Sequence, residues 1–121
     1  MCGSGNNGAD GMAVARQLTA RGISAEVYTT AEEEKGTEEL NRQRAILQKL
    51  GIVFVNDIPA GEYNCIIDAV FGIGLSRTIT GRYEQIIEKI NAAKDTGSLI
   101  VAVDTPSGIN AGDGQVMGCA V

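Results

Sequence analysis

The chain has 121 residues, 44% of them hydrophobic, which is enough for about one domain with a buried core. Its net charge of −5 and its aromatic content of 4%, with no tryptophan, argue against nucleic-acid binding, which needs a basic patch or stacking aromatic rings. No histidine is present, so no imidazole can act as a base or a metal ligand. No stretch is apolar over a length that would span a bilayer, so no membrane partner is predicted either.

The three cysteines, Cys2, Cys65 and Cys119, are an odd number at scattered spacings. This pattern predicts reduced thiols and is typical of a cytoplasmic protein. The simplest interpretation of each cysteine is a small buried hydrophobic residue without chemistry of its own.

The chain begins with a glycine-rich stretch, Gly-Ser-Gly-Asn-Asn-Gly-Ala-Asp-Gly at 3–11, followed by an amphipathic run. Glycine allows positive φ and a close approach of the backbone to a ligand. A glycine-rich turn that enters a helix presents N–H groups at the positive end of the helix dipole, where a phosphate can bind. Gly3, Gly5 and Gly8 also fit the G-x-G-x-x-G spacing of dinucleotide-binding turns. A turn without any ligand remains an open alternative, but no Lys-Ser or Lys-Thr pair follows to make a triphosphate-binding loop.

The first half of the chain predicts two helices and two strands. Helix one is predicted at 9–20, with Asp10 in its first turn and Gly22 as its stop signal, and a strand follows at 25–29. A second helix is predicted between a cap and a glycine stop, before a strand at 52–55 and a loop at 57–61. The residues that define this helix are its cap Thr37, its stop Gly51 and one apolar face of Leu40, Leu47 and Leu50.

The second half repeats the alternation. Residues 65–71 form a nearly continuous apolar run, typical of a strand buried on both faces of a parallel sheet. A helix is predicted at 83–93, with Gly97 as its stop, before a buried strand at 99–103 and a loop at 105–114. The apolar face of that helix consists of Tyr83, Ile86, Ile87 and Ile90.

Alternating strands and helices predict an α/β fold, with a parallel sheet, right-handed crossovers and helices on both faces. Two residues precede the first glycine, and residues 118–121 look like the entry to another element. We therefore expect residues 1–121 to be a single domain truncated at both ends.

Ligands of open parallel sheets bind outside the carboxyl ends of the strands, and three polar or glycine-rich stretches fall there, at 3–11, 68–77 and 104–108. Asp68 interrupts an apolar strand, so it is either a structural carboxylate that accepts loop N–H bonds or an oxygen ligand of a hard cation. Asp104 ends a strand and is a candidate acid or base, with a turn carboxylate as the alternative. Arg77 is either a phosphate contact or a solvated surface arginine.

These stretches resemble the YjeF N-terminal domain family, the NAD(P)H-hydrate epimerases. The matching pieces are Gly-Ser-Gly-Asn-Asn-Gly-Ala-Asp-Gly at 3–11, Asp-Ala-Val-Phe-Gly-Ile-Gly-Leu-Ser-Arg at 68–77, and Asp-Thr-Pro-Ser-Gly-Ile-Asn-Ala-Gly-Asp-Gly at 104–114, in the family's order. The sequence departs from the family pattern at Ala9, Thr78 and Thr105, and none of these changes removes a proposed ligand.

The resemblance implies a Rossmann-like three-layer α/β/α sandwich with a mainly parallel sheet. It implies epimerisation at C6 of hydrated nicotinamide nucleotides, which interconverts the R and S forms of NADHX and NADPHX. A partner dehydratase, often fused to the epimerase in bacteria and labelled carbohydrate kinase, restores NAD(P)H from the S form. Homodimers are usual in the family.

Matched by motif position, the resemblance also implies site residues. Asp104 would carry the acid–base chemistry, and a potassium ion would be held by Asn7, Asp68 and Ser107. The substrate-binding set would be Asn6, Asn7, Gly8, Ala9, Asp10, Gly72, Ile73, Gly74, Leu75, Ser76, Arg77, Thr78 and Asp104.

Two other functions compete with the epimerase. The same fold serves as a non-catalytic scaffold in messenger-RNA decapping proteins, but retention of the cation residues and Asp104 favours the enzyme. A small-molecule kinase lacks support here, because no lysine-bearing phosphate loop and no paired metal carboxylates are present.

Overall fold

The computed structural model describes residues 1–33, 35–58 and 63–121. Helices and strands alternate along the chain, as the sequence predicts. The elements are α1 (Asn6–Ala20), β1 (Glu26–Val27), α2 (Glu38–Lys49), β2 (Val53–Phe54), β3 (Cys65–Asp68), α3 (Arg82–Asp95) and β4 (Leu99–Ala102). Most of the predicted 57–61 loop, from residue 59 onward, lies outside the described residues.

The first residues of the chain join two pairs of parallel strands. β1 pairs with β2, and β3 pairs with β4. Cys2 forms parallel bridges with both Thr29 and Ala69, and its N–H donates to the carbonyl of Tyr28 at 2.8 Å. The order across the sheet is therefore β2, β1, the segment at Cys2, β3 and β4, all parallel.

Helices cover both faces of this sheet. One core cluster joins Met12 of α1 and Leu40 of α2 to Val27 of β1. A second cluster packs Tyr28 with residues of α3 and β3. Neighbouring residues of a strand point to opposite faces of the sheet. The cluster that contains Val27 and the cluster that contains Tyr28 therefore lie on opposite sides of it. The predicted three-layer α/β/α arrangement is confirmed.

The helix signals were largely correct. Thr37 caps α2 by accepting a hydrogen bond from the N–H of Leu40 at 3.3 Å. Gly22, Gly51 and Gly97, the predicted helix stops, all have positive φ. In the described part of the chain, no helix is long and apolar enough to cross a membrane.

Helix α1 begins three residues earlier than predicted. It starts at Asn6, and its first turn carries no acidic side chain, so the placement of Asp10 in that turn was wrong. The early start depends on Gly8, where a β-carbon would come 2.0 Å from the carbonyl oxygen of Gly3. The prediction had also invoked positive φ, but neither Gly3 nor Gly8 has it.

Two predictions of burial were wrong. Leu50 was expected on the buried face of α2 with Leu40 and Leu47, but it is 55% exposed because it lies in the C-cap. β4 was predicted as a buried strand, yet Leu99 is 63% exposed, since β4 pairs only with β3 among the described strands.

Candidate active site

The three stretches singled out in the sequence meet at one edge of the sheet. Gly72, in the 68–77 stretch, lies between the 3–11 and 104–108 stretches. A β-carbon at this position would be 2.5 Å from Asp104 Oδ2 and 3.2 Å from Asn7 Cγ. The carboxyl ends of the Cys2 segment, β3 and β4 thus bring together residues that are far apart in the chain. This convergence is what a doubly wound sheet predicts for a ligand site.

The first turn of α1 forms one side of this site. Its N-cap is Gly5, which supplies no side-chain hydrogen bond. The first amide groups of a helix have no intrahelical acceptor, so this turn can bind an anion. Asn6 is exposed, whereas both side-chain polar atoms of Asn7 are buried without a hydrogen-bond partner. Asp10 lies apart from the cluster, at an open groove along α1 with Ala13 and Val14.

Asp68 is fully buried at the end of β3 and is held by the loop after β4. Its Oδ1 accepts from Ser107 Oγ at 2.6 Å, and its Oδ2 accepts from the N–H of Ser107 at 2.7 Å. The N–H of Val70 adds a third bond, at 3.2 Å. Burying a carboxylate is costly unless it is bonded in this way. These hydrogen bonds give Asp68 the structural role that the sequence had left open, alongside the cation hypothesis.

The 72–78 loop has two buried anchors and an exposed surface. Leu75 is buried in this loop, and Ile79 is buried just beyond it, both against Ile87 of α3. Ile73 is 71% exposed, and the other exposed members of the loop are Gly74, Ser76, Arg77 and Thr78. Anchored loops with outward-facing polar and backbone groups are suited to binding a ligand.

Asp104 is exposed at the start of the loop after β4, and its Oδ2 accepts a hydrogen bond from the N–H of Ile73 at 2.9 Å. This exposed position leaves the carboxylate accessible to a molecule bound between the 72–78 loop and α1, which suits proton transfer.

Arg82 was not singled out by the sequence. It is the first residue of α3, and its interaction with Tyr28, together with Tyr83 and Glu32, raises the pKa of the guanidinium. No motif or periodicity in the sequence signals this proximity.

The donors near Asp68 are oxygen groups, which suit hard cations such as potassium. Asp68 Oδ2 accepts a single hydrogen bond, and Asn7 Oδ1 has none, so both have lone pairs for a cation. Within the described residues no group of three or more histidine, cysteine, aspartate or glutamate side chains could hold a metal ion. The donor set consists of oxygen groups, the ligand type that suits an alkali ion.

A family model described as YjeF-related protein N-terminus matches residues 1–121. The chain belongs to this family. As a YjeF-related chain, it is 40% identical over 122 residues to the NAD(P)H-hydrate epimerase of Oenococcus oeni, covering 100% of this chain and 57% of that protein. It is 43% identical over 119 residues to the NAD(P)H-hydrate epimerase of Levilactobacillus brevis, covering 98% and 54%.

Two further relatives bear on organisation and fold. The bifunctional NAD(P)H-hydrate repair enzyme Nnr of Thermofilum pendens is 36% identical over 130 residues, covering 100% of this chain and 24% of that protein. The crystal structure of the yeast protein ynu0 superimposes with a TM-score of 0.84 at 26% identity, covering 99% of this chain and 52% of the yeast chain. The YjeF-related chain spans about half the length of the epimerases of Oenococcus oeni and Levilactobacillus brevis.

Proposed function

We propose that this chain is part of an NAD(P)H-hydrate epimerase, which interconverts the R and S forms of NADHX and NADPHX. The names of its relatives support the proposal. The observation that carries it is the accessible Asp104 carboxylate, bonded to the 72–78 loop and next to the uncapped first turn of α1. A helix N-terminus that can bind an anion, next to an exposed carboxylate, suits a substrate that has both phosphate groups and a reactive ring.

Substrate binding would use both glycine-rich stretches. Residues Asn6–Asp10 would contact the phosphates chiefly through the N–H groups of the first helical turn, because the helix dipole favours negative charge there. The N–H of Ala9 already donates to the Gly5 carbonyl at 3.2 Å. The 72–78 loop would cover the other side, with the exposed apolar Ile73 near the ring. The exposed position of Arg77 would let it neutralise phosphate charge.

Asp104 would act as the acid and base. In the hydrate, C6 carries a hydroxyl group and is bonded to the ring nitrogen, so inversion requires one of these bonds to break and re-form. A carboxylate that removes the hydroxyl proton promotes opening of the bond from C6 to the ring nitrogen, which gives an aldehyde while the nitrogen takes up the proton. Closure on the opposite face, with the proton returned to the oxygen, gives the other epimer. The Ile73 N–H occupies one oxygen of Asp104, which leaves the other oxygen for the substrate.

We further propose that Asn7, Asp68 and Ser107 bind a potassium ion. The unpartnered Asn7 Oδ1 and the free lone pair of Asp68 Oδ2 support this assignment. The ion would supply positive charge that offsets the buried Asp68 carboxylate and the substrate phosphates.

The partner reaction would be an ADP- or ATP-dependent dehydratase acting on the S form. The bifunctional relative supports a fused arrangement as one form of this pairing. A cytoplasmic homodimer completes the proposal, in keeping with the reduced-cysteine pattern and the family's usual assembly.

The test uses the full-length protein mixed with R-NADPHX, an S-specific dehydratase and ATP or ADP, with NADPH absorbance as the readout. We expect fast recovery of the R form, stimulated by potassium, and a loss of about 100- to 10,000-fold in Asp104→Asn. Asp113→Asn is the matched control, because Asp113 is an exposed loop aspartate outside the proposed site that accepts a hydrogen bond from the nearby N–H of Gln115. No acceleration over spontaneous epimerisation in the folded protein would favour a non-catalytic nucleotide-binding or scaffold module.

A further inference from the structure

Ser107 is fully buried, and every polar group it has is bonded. Its N–H and hydroxyl both donate to Asp68, at 2.7 and 2.6 Å. Its carbonyl accepts from the N–H of Val121 at 3.0 Å. The hydroxyl oxygen also accepts from the N–H of Phe71 at 2.8 Å. A side chain fixed in this way transmits position from one loop to the other.

These bonds are part of a closed ring that joins the ends of β3 and β4. Asp68 fixes Ser107 through its carboxylate and fixes Val103 through its carbonyl, which accepts from the Val103 N–H at 2.9 Å. Asp104 lies between these two fixed points. On the other side, Ser107 fixes Phe71, and the ring closes where Ile73, two residues later, donates to Asp104.

From this geometry we propose that Ser107 is a positioning residue, whose hydroxyl links Asp68 to the Phe71 amide and so aligns Asp104 with the 72–78 loop. The inference rests on the proposed epimerase function for its catalytic consequence. It assigns Ser107 a task that does not depend on a bound cation. Alignment matters because a displacement of about 1 Å at a reacting group can cost roughly 100-fold in rate.

The test compares three variants of the full-length protein. Ser107→Ala removes the hydroxyl, and Ser107→Cys keeps most of the volume but puts a weak thiol in its place. Ser98→Ala is the matched control, because Ser98 is also buried and its hydroxyl donates to the carbonyl of Tyr63 at 2.5 Å, outside the closed ring of hydrogen bonds. All three are measured in potassium and in sodium buffer.

The first readout is amide hydrogen exchange, which needs no substrate. Both Ser107 variants are expected to speed exchange at Phe71 and Ile73 by at least about tenfold, equally in potassium and sodium. Ser98→Ala is expected to leave these two amides unchanged. Unchanged exchange at Ile73 in both Ser107 variants would overturn the proposal, and so would an effect that appears only with potassium present.

The second readout is steady-state epimerisation. We expect kcat at saturating potassium to fall roughly tenfold to 100-fold in both Ser107 variants, with a smaller change in KM. Wild-type kcat in Ser107→Cys would mean that packing alone matters and would overturn the role of the hydroxyl. A wild-type protein without epimerase activity would refute the proposed function only, because the exchange result is obtained independently.

Discussion

Gly72 packs so closely against Asp104 that no side chain fits between them. A β-carbon at position 72 would lie 2.5 Å from Asp104 Oδ2, and Asn7 would be in contact on the other side. Since real β-carbons do not approach other atoms this closely, any larger residue at position 72 must displace the carboxylate or the helix. Glycine at position 72 thus allows Asp104 and Asn7 to keep their positions beside the loop.

Gly72→Ala is therefore expected to lower epimerisation by roughly tenfold to 100-fold, because it moves Asp104 away from its position beside the 72–78 loop. Gly112→Ala is the control, since Gly112 lies outside the proposed site and a β-carbon there would come no closer than 3.2 Å, to Asn110 Oδ1. The coupled NADPH assay measures both. Equal activity in the two variants would contradict the close contact at Gly72.

The two leucines at the end of α2 should differ sharply in their effect on stability. Leu47 is fully buried, so Leu47→Ala is expected to lower the free energy of unfolding by about 2–5 kcal/mol. Leu50 is largely exposed, so Leu50→Ala should change the free energy of unfolding by less than about 0.5 kcal/mol. Urea denaturation followed by circular dichroism distinguishes the two, and a similar loss in both variants would contradict the observed end of α2.

Asp57 and Lys89 form an exposed ion pair with a defined pH dependence. The hydrogen bond from Lys89, with a smaller contribution from the Ile58 N–H, lowers the pKa of Asp57 below its ordinary value of 3.8. Because the pKa of Asp57 is lowered in the folded state, ionised Asp57 stabilises the fold fully at pH values above 3.8. This stabilisation is lost as the pH falls through the pKa that Asp57 has in the folded protein. The net effect on stability should be small, because the pair is exposed.

The pKa itself is measurable by ¹³C NMR titration of the Asp57 carboxyl group. We expect Lys89→Ala to raise it, whereas Lys94→Ala, which removes a charge from the same helix outside this ion pair, should leave it in place. High salt should also raise the value. An Asp57 pKa unaffected by Lys89→Ala would refute the pairing.

The cysteines should react with a thiol reagent in a fixed order. Burial raises the pKa of Cys2, which is almost inaccessible, and burial together with Glu84 and Glu88 raises the pKa of Cys119. A raised pKa leaves less reactive thiolate at neutral pH. Cys65 is exposed and should react first, while Cys2 should react only after unfolding. The fast phase should disappear in Cys65→Ser, and a rapid reaction at Cys2 in the folded protein would contradict its burial.

Much of the architecture can be deduced from local sequence patterns. The cap at Thr37 and the positive φ of Gly22 and Gly51 follow from the chemistry of helix ends, which involves residues only a few positions apart. The same patterns could not predict that Leu50 is exposed, because helical periodicity does not show at which residue the protein core stops covering the helix. The family resemblance at 3–11, 68–77 and 104–114 supplied the candidate residues, but not their contacts.

Only the tertiary structure decided how those residues meet. The bond from Ser107 to Asp68 joins residues 39 positions apart, and it exists because the crossover through α3 lays β4 in register beside β3. Likewise, Gly72 is confined because α1 begins on one side of it and the loop after β4 begins on the other. The sequence alone determined the alternation of helices and strands and the side chains available for chemistry, since both follow from residues that are close together in the chain. Their distances depend on the order of strands across the sheet, which local spacing does not encode.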